Sequence, residues 1–250
     1  MIARTTVIVQ ARMGSRRLPA KSLAALNGRS LLAQCVWRLA ATGLPVMVAT
    51  TDQPEDDAIV DEAVRSGAGV YRGPADDVLA RYVGAAESCG AAYVIRATAD
   101  NPAVDGDSAG RALAVLRRTH ADHVIECGLP FGAAVEAVTT DALVRAAALA
   151  TEPYDREHVT PFIRRDRRFT AIRAIAAPVI RRPELRLTVD TREDLEFMRA
   201  VLQPFAGRVR PAALVEIIGV AEQLWPQRAD APVNQVGPIG NGGHVGQVGA

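Results

Sequence analysis

Short aliphatic runs alternate with segments whose apolar residues recur every three or four positions, and this alternation predicts the elements. Residues 6–10 form a β-branched run that breaks at once into a polar loop over 11–21, which holds Gly14, Ser15, Pro19 and three arginines. Ser30 caps a helix reaching Ala41, with Leu31, Leu32, Cys35, Val36 and Leu39 at helical spacing and Gly43 as its stop. A strand at 46–49, a helix at 56–65, a short strand at 69–71 and a helix at 76–89 closed by Gly90 continue the alternation.

The strand at 93–97 carries Thr98, Asp100 and Asn101 at its polar end before Pro102 stops the ladder. Carboxylates at such strand ends lie in the crevice where open α/β sheets bind ligands. A helix at 107–118 follows, then strands at 123–127 and 134–138, helices at 141–150 and 157–165, and strands at 169–175 and 185–189. The last strand ends in Asp190, and amphipathic helices at 192–202 and 211–224 close the pattern. The prediction is one α/β domain over 1–225, with a mostly parallel sheet that is mixed in its second half. From 226 to 250 the composition turns to Pro, Gly, Asn and Gln, which reads as a tail.

Composition narrows the function classes. With 49% apolar and 23% charged residues, 250 residues suffice for one large core. A net charge of +1 and an aromatic content of 4% argue against nucleic-acid binding. No apolar run approaches the ~18 residues that a membrane span needs, so the expected location is the cytoplasm. Cys35, Cys89 and Cys127 are odd in number and widely spaced, which predicts buried thiols rather than disulfides or a zinc site. Lys21 is the sole lysine among 29 basic residues. A lysine kept where arginine serves everywhere else suggests a position that needs a compact point charge.

The strongest chemical signal is Ala11-Arg12-Met13-Gly14-Ser15-Arg16-Arg17-Leu18-Pro19-Ala20-Lys21, directly after the first strand. Its glycine, cations, hydroxyl and amides suit a triphosphate. It is not a P-loop: the spacing to Lys21-Ser22 is one residue too long, Pro19 and Ala20 stand where a glycine is needed, and no helix is expected to start at the lysine. Arg164-Arg165-Asp166-Arg167-Arg168 reads as a solvated helix end.

These residues resemble the cytidylyltransferases that activate acidic sugars, in particular their spore coat polysaccharide biosynthesis subgroup. The resemblance rests on Val9 to Ser15, Arg17-Leu18-Pro19 and Lys21, then Tyr71-Arg72-Gly73, Asp76 to Leu79 and Arg81-Tyr82. It continues through Arg96, Asp100 and Pro102, Arg156 to Pro161, Val189-Asp190-Thr191 and Glu193-Asp194-Leu195. Arg16, Ala20 and Pro74 depart from the threonine, glycine and serine common in the family.

The resemblance implies a Rossmann-like (GT-A-like) nucleotidyltransferase fold and transfer of CMP from CTP to a small acidic acceptor with release of pyrophosphate. It implies nucleotide contacts at Ala11, Arg12, Gly14, Ser15, Arg17, Lys21, Arg72, Asp77 and Thr98, and Mg²⁺ held by Asp100 and Asp190. Arg12, Lys21 and Asp100 take the catalytic roles, Glu136 and His158 line the acceptor pocket, and a homodimer is the family's habit. Magnesium takes one or two carboxylates together with substrate phosphates and water, which suits such a pair. His158 is a candidate general base or a local structural residue. Two other classes compete. A nucleotide-sugar-dependent glycosyltransferase would need a close carboxylate pair, for which Asp105 and Asp107 are the nearest match, although they read as helix-opening residues. A non-catalytic nucleotide-binding protein would need the loop without both Asp100 and Asp190.

Overall fold

Runs that are apolar at consecutive positions bury both faces of a strand, and the first strand does so here. β1 (Thr5–Gln10) sends Val7 and Val9 into one core and Ile8 into another, all fully buried. The computed structural model describes residues 4–15 and 17–227, so Arg16 and all of the expected tail from 228 onward lie outside the described residues. After β1 come a two-stranded ribbon, β2 (Ala25–Leu26) and β3 (Arg29–Ser30), and α1 (Leu31–Ala40), capped by the Ser30 hydroxyl. β4 (Val46–Thr51), α2 (Asp57–Arg65), β5 (Gly69–Gly73), α3 (Val78–Ser88) and β6 (Tyr93–Thr98) complete the first half.

The second half holds α4 (Gly106–Thr119), β7 (His123–Cys127), β8 (Glu136–Thr139), α5 (Thr140–Leu149), α6 (Pro153–His158), α7 (Pro161–Arg165), β9 (Ala171–Ile175), α8 (Arg192–Leu202) and α9 (Leu214–Leu224). The main sheet has seven strands in the order β5-β4-β1-β6-β8-β7-β9. All neighbours pair in parallel except β8, which runs against both β6 and β7. The sheet is therefore mostly parallel and mixed in its second half, as the pattern predicts. The chain leaves β1 toward β4 and β5, then returns to lay β6 on β1's other side. This reversal of direction opens a crevice beyond the carboxyl ends of β1 and β6, the usual ligand position in open α/β sheets. Register places the last residues of the two strands side by side, Gln10 opposite Thr98.

α1, α2 and α4 cover one face through Leu32, Val36, Ile59 and Ala109, while α3, α5 and α7 cover the other through Leu79, Tyr82, Leu143 and Ile163. A third core joins α8 and α9 to Leu26, Leu31, Leu129 and the segment 185–189.

Three expectations need correction. The segment 185–189 is extended but forms only a single bridge, Phe131 with Arg186, because the facing chain turns away at Gly132, whose φ is +93°. The helix expected at 157–165 is two short helices: Pro161 lacks the N–H that a helix interior needs and starts α7 instead, and Val159 before it sits at φ +74°. Of the three cysteines, Cys35 alone is fully buried; Cys89 and Cys127 are half-buried, and all three are free thiols. No helix among the described residues is long and apolar enough to cross a membrane.

Candidate active site

The loop after β1 is tied down by its own backbone and by one buried carboxylate. Met13 O accepts from Ser15 N (2.8 Å) and Ala20 N (3.3 Å), and the Ser22 hydroxyl donates to Arg12 O (3.3 Å). Met13 N donates to Asp56 Oδ1 (2.7 Å), while Asp56 Oδ2 accepts from both Thr50 and Thr51 hydroxyls and from Thr51 N. Asp56 thus fastens the loop to the end of β4, a role its position before α2 did not disclose. Ala20 has φ +55°, the left-handed region where glycine is at ease, and one turn of 3-10 helix starts at Lys21 in place of the expected helix-free loop. An α-helix does not begin there, so the distinction from a P-loop stands.

That turn aims Lys21 into the crevice. Its ammonium donates to Asp100 Oδ2 (2.8 Å), Asp190 Oδ1 (3.0 Å) and the Val189 carbonyl (3.1 Å), so each of its three N–H groups has an oxygen partner. The side chain is only 15% exposed, so the ammonium sits among these oxygens rather than in solvent. Burial works against its charge, but the two carboxylates outweigh it and hold the ammonium above its ordinary pKa. Asp190 responds in the opposite sense: burial pushes its carboxyl up, and Lys21, Arg186 and Arg17 bring it below the usual range.

Each carboxylate is oriented from behind. The Thr98 hydroxyl donates to Asp100 Oδ1 (2.6 Å) and accepts from Asn101 Nδ2 (2.8 Å), leaving Oδ2 for Lys21. Arg186 donates to Asp190 Oδ2 (2.6 Å), leaving Oδ1 for Lys21 and Arg17, the latter at 2.9 Å. Asp190 does not end a strand as expected. Its segment is held by loop contacts, with Val189 N donating to Asp100 O (2.8 Å) and the Thr188 hydroxyl to the same oxygen (3.3 Å). Gly132 packs beneath both segments: a Cβ there would lie 2.9 Å from Asn101 Oδ1 and 2.8 Å from Thr188 N. Arg186 was missed in the sequence, although alternation along Leu185-Arg186-Leu187-Thr188-Val189-Asp190 places it on Asp190's side of an extended segment.

The remaining residues divide. Arg12, 46% exposed, reaches toward Glu157 of α6 at 3.6 Å, so the loop and α6 face each other across the crevice. Ala11 is buried and continues the ladder through its N–H to Ala49 O (3.3 Å). Gly14 has open space around its α-carbon. Cys35 lies beneath Thr98, where burial, helped by Asp100, pushes its thiol up to about 12. Arg72 lies apart from the tripod and spends its donors on Thr51 O, Gln53 O and Asp57, bracing the end of β5. Asp77 caps α3 and pairs with Arg156, docking α6 on α3. His158 is largely exposed, with its ring tilted by 52° against Tyr154 at 4.4 Å between centroids.

Glu136 needs correction. It sits in the sheet between Arg96 (2.7 Å) and His123 (2.6 Å), with both oxygens engaged, rather than on an open pocket wall. Burial pushes its carboxyl up, yet Arg96 and His123 overcome that and leave it far below the usual range. Asp105 and Asp107 are helix-opening residues, as read: Asp105 caps α4, accepting from Asp107 N at 3.3 Å, and pairs with Arg111.

A loop carrying cations faces two carboxylates that converge on one point at a sheet's carboxyl edge, where open α/β sheets bind ligands. A sequence-family profile described as "Cytidylyltransferase" matches residues 6–216. The chain belongs to the cytidylyltransferase family. The spore coat polysaccharide biosynthesis protein SpsF of Bacillus subtilis is 34% identical over 213 residues, covering 80% of this chain and 87% of that one. A cytidylyltransferase structure from Leptospira borgpetersenii superposes with a TM-score of 0.83 at 25% identity, covering 90% of this chain and 96% of that chain. A CMP:2-keto-3-deoxy-manno-octonic acid synthetase complexed with CTP shares the fold, with a TM-score of 0.61 at 17% identity over 81% of this chain and all of that one. This cytidylyltransferase therefore has the Rossmann-like nucleotidyltransferase fold, and its reaction is CTP-dependent transfer of CMP.

The donor set fits a hard divalent ion that brings ligands with it. Among the described residues no group of three or more His, Cys, Asp or Glu side chains is arranged to hold a metal. Asp100 and Asp190 form a pair, both already within 3.0 Å of one cation. Two carboxylates are oxygen donors of the kind that hard divalent ions take.

Proposed function

We propose that this cytidylyltransferase moves CMP from CTP to a hydroxyl of an acidic sugar, with Arg12, Ser15, Arg17 and Lys21 as phosphate ligands and Asp100 and Asp190 as the Mg²⁺ ligands. The observation that carries the reading is the convergence of Lys21, Asp100 and Asp190 between the loop after β1 and the end of β6. The acceptor class draws support from the names of two similar proteins, one of polysaccharide biosynthesis and one an acidic-sugar synthetase complexed with CTP. The same reading takes residues 1–225 as one domain of a homodimer in the cytoplasm.

Mg²⁺ bound to the pair would offset charge on the α-phosphate. The acceptor oxygen forms its bond to the α-phosphorus as the bond from that phosphorus to the bridging oxygen of the β-phosphate breaks. Pyrophosphate leaves with the electron pair, and the acceptor proton passes to solvent. Arg12 and Arg17, at the open rim of the loop, take up charge that grows on the β- and γ-phosphates. Thr98 and Arg186 keep one oxygen of each aspartate pointed inward. His158 on α6 faces the acceptor side.

The test supplies CTP labelled at the α-phosphorus with a panel of acidic sugars. Label should appear in a CMP-sugar conjugate with an equal amount of unlabelled pyrophosphate. Consumption of a nucleotide sugar with release of nucleoside diphosphate, and no turnover of CTP, would sink the reading in favour of glycosyl transfer.

A further inference from the structure

The charges around the two aspartates balance within the chain itself. Asp100, Asp190 and Asp194 face Lys21, Arg17 and Arg186, three negative charges against three positive ones, linked by contacts of 2.6–3.5 Å. Lys21 supplies the central cation. An ammonium is compact and carries three donors, and here those donors reach two carboxylates and a carbonyl, the oxygen types that a divalent ion takes. A guanidinium is a flat fork and could not put one charge within reach of all three oxygens. The only lysine of the chain stands at this position, where that shape suits the three oxygens.

We infer that Lys21 is a resident cation that occupies the divalent-ion position between Asp100 and Asp190, so that the metal enters only together with a triphosphate that draws the ammonium away. This rests on the reading of Asp100 and Asp190 as metal ligands. A dipositive ion added to the neutral cluster meets Lys21 in its place and no free negative charge. When a triphosphate lies along the loop, its oxygens offer the ammonium new partners a side-chain rotation away, and the two carboxylates are released to the ion arriving with the nucleotide. The ion and the nucleotide then each tighten the binding of the other, since both favour the same displaced lysine. Nucleotide-free protein keeps its carboxylates paired and resists stray divalent ions.

The experiment titrates the full-length protein with Mn²⁺ in the absence of nucleotide and reads free Mn²⁺ by its paramagnetic resonance signal, with circular dichroism in EDTA to check folding. Wild type should bind Mn²⁺ weakly. Lys21→Met should bind at least tenfold more tightly, and the gain should vanish in Lys21→Met/Asp190→Asn. Adding α,β-methylene CTP should tighten Mn²⁺ binding in the wild type far more than in Lys21→Met. If Lys21→Met does not fold, Lys21→Gln, which keeps a donor without charge, carries the same expectation. Equal nucleotide-free affinities in wild type and the lysine variant overturn the inference. In that case, loss of nucleotide-dependent Mn²⁺ binding in Asp190→Asn would leave the ligand assignment standing. A gain that survives in the double variant places the ion elsewhere and overturns both.

Discussion

Asp190→Asn separates two accounts of the same cluster. If the two aspartates faced each other unpaired, removing one charge would stabilise the metal-free protein by relieving repulsion. The structure gives the opposite sign, because Asp190 is held by Lys21 at 3.0 Å, Arg186 at 2.6 Å and Arg17 at 2.9 Å. Arg17 is mostly exposed and adds little. The other two contacts are largely shielded from water, and asparagine preserves the shape and one acceptor oxygen while removing the charge that both cations face. A loss of about 2 kcal/mol is expected, and at this chain length that lowers the melting temperature by roughly 4–8 °C. The assay is thermal unfolding in EDTA without nucleotide at pH 7. The pH dependence supplies a second check. Since the folded-state pKa of Asp190 is depressed, its contribution is present above the unfolded carboxyl value and is lost as pH falls through the folded value. The difference between wild type and variant should therefore shrink in strong acid. A variant as stable as wild type, or more so, at pH 7 would refute the ion-pair account and with it the placement of Lys21.

Three further outcomes follow from other contacts. Ala20→Gly should raise stability by up to about 1 kcal/mol in a melt, because the left-handed conformation costs an alanine roughly 1–2 kcal/mol and the added chain entropy of glycine returns about half of that; a lowered midpoint would count against the φ of +55°. Arg12→Ala should reduce kcat/KM for CTP roughly ten- to a hundredfold, the worth of one charge-assisted phosphate contact, and should leave the melting temperature unchanged because the side chain is exposed; an unaltered kcat/KM would remove Arg12 from the phosphate site. Partial desolvation of the ring, which is open to water on one side only, acts with Arg96 and Arg164 to outweigh Glu157 and lower the pKa of His158, so a proton NMR titration of its ring should give a midpoint below 6.5. The unfolded chain then takes that proton first, and this histidine's effect is to lower stability as pH falls below 6.5; a midpoint above 6.5 would contradict the environment described.

Local pattern revealed what local physics controls. The β-branched run of β1, the glycine-bearing loop after it and the caps at Ser30 and Gly90 are short-range features, and they appeared where the periodicity put them. Pro161 could also have been read correctly, since a proline four residues into a proposed helix argues for a boundary. The segment 185–189 misled because a run of alternating β-formers looks the same whether its hydrogen bonds go to a strand or to a loop turning at Gly132. The meeting of Lys21 with Asp100 and Asp190 spans separations of 79 and 169 residues, and no periodicity reports such a distance. Family resemblance pointed to those three residues, and the structure added that the lysine sits between the aspartates. It also withdrew Glu136 from the pocket wall, because a carboxylate between Arg96 and His123 is committed to the sheet.

Gly132 gives the candidate active site a sensitivity out of proportion to its size. The loop carrying Asp100 and the segment leading to Asp190 come from distant parts of the chain, and both rest against the same glycine, one through Asn101 and the other through Thr188. The spacing of the two carboxylates is thus gauged by the absence of a single methyl group. Any side chain at this position would act as a wedge, driving the two halves of the cation site apart while leaving every residue that touches the cation unaltered. A variant there would keep the whole complement of chemical groups and lose their separation, so its defect would be one of measurement rather than of chemistry.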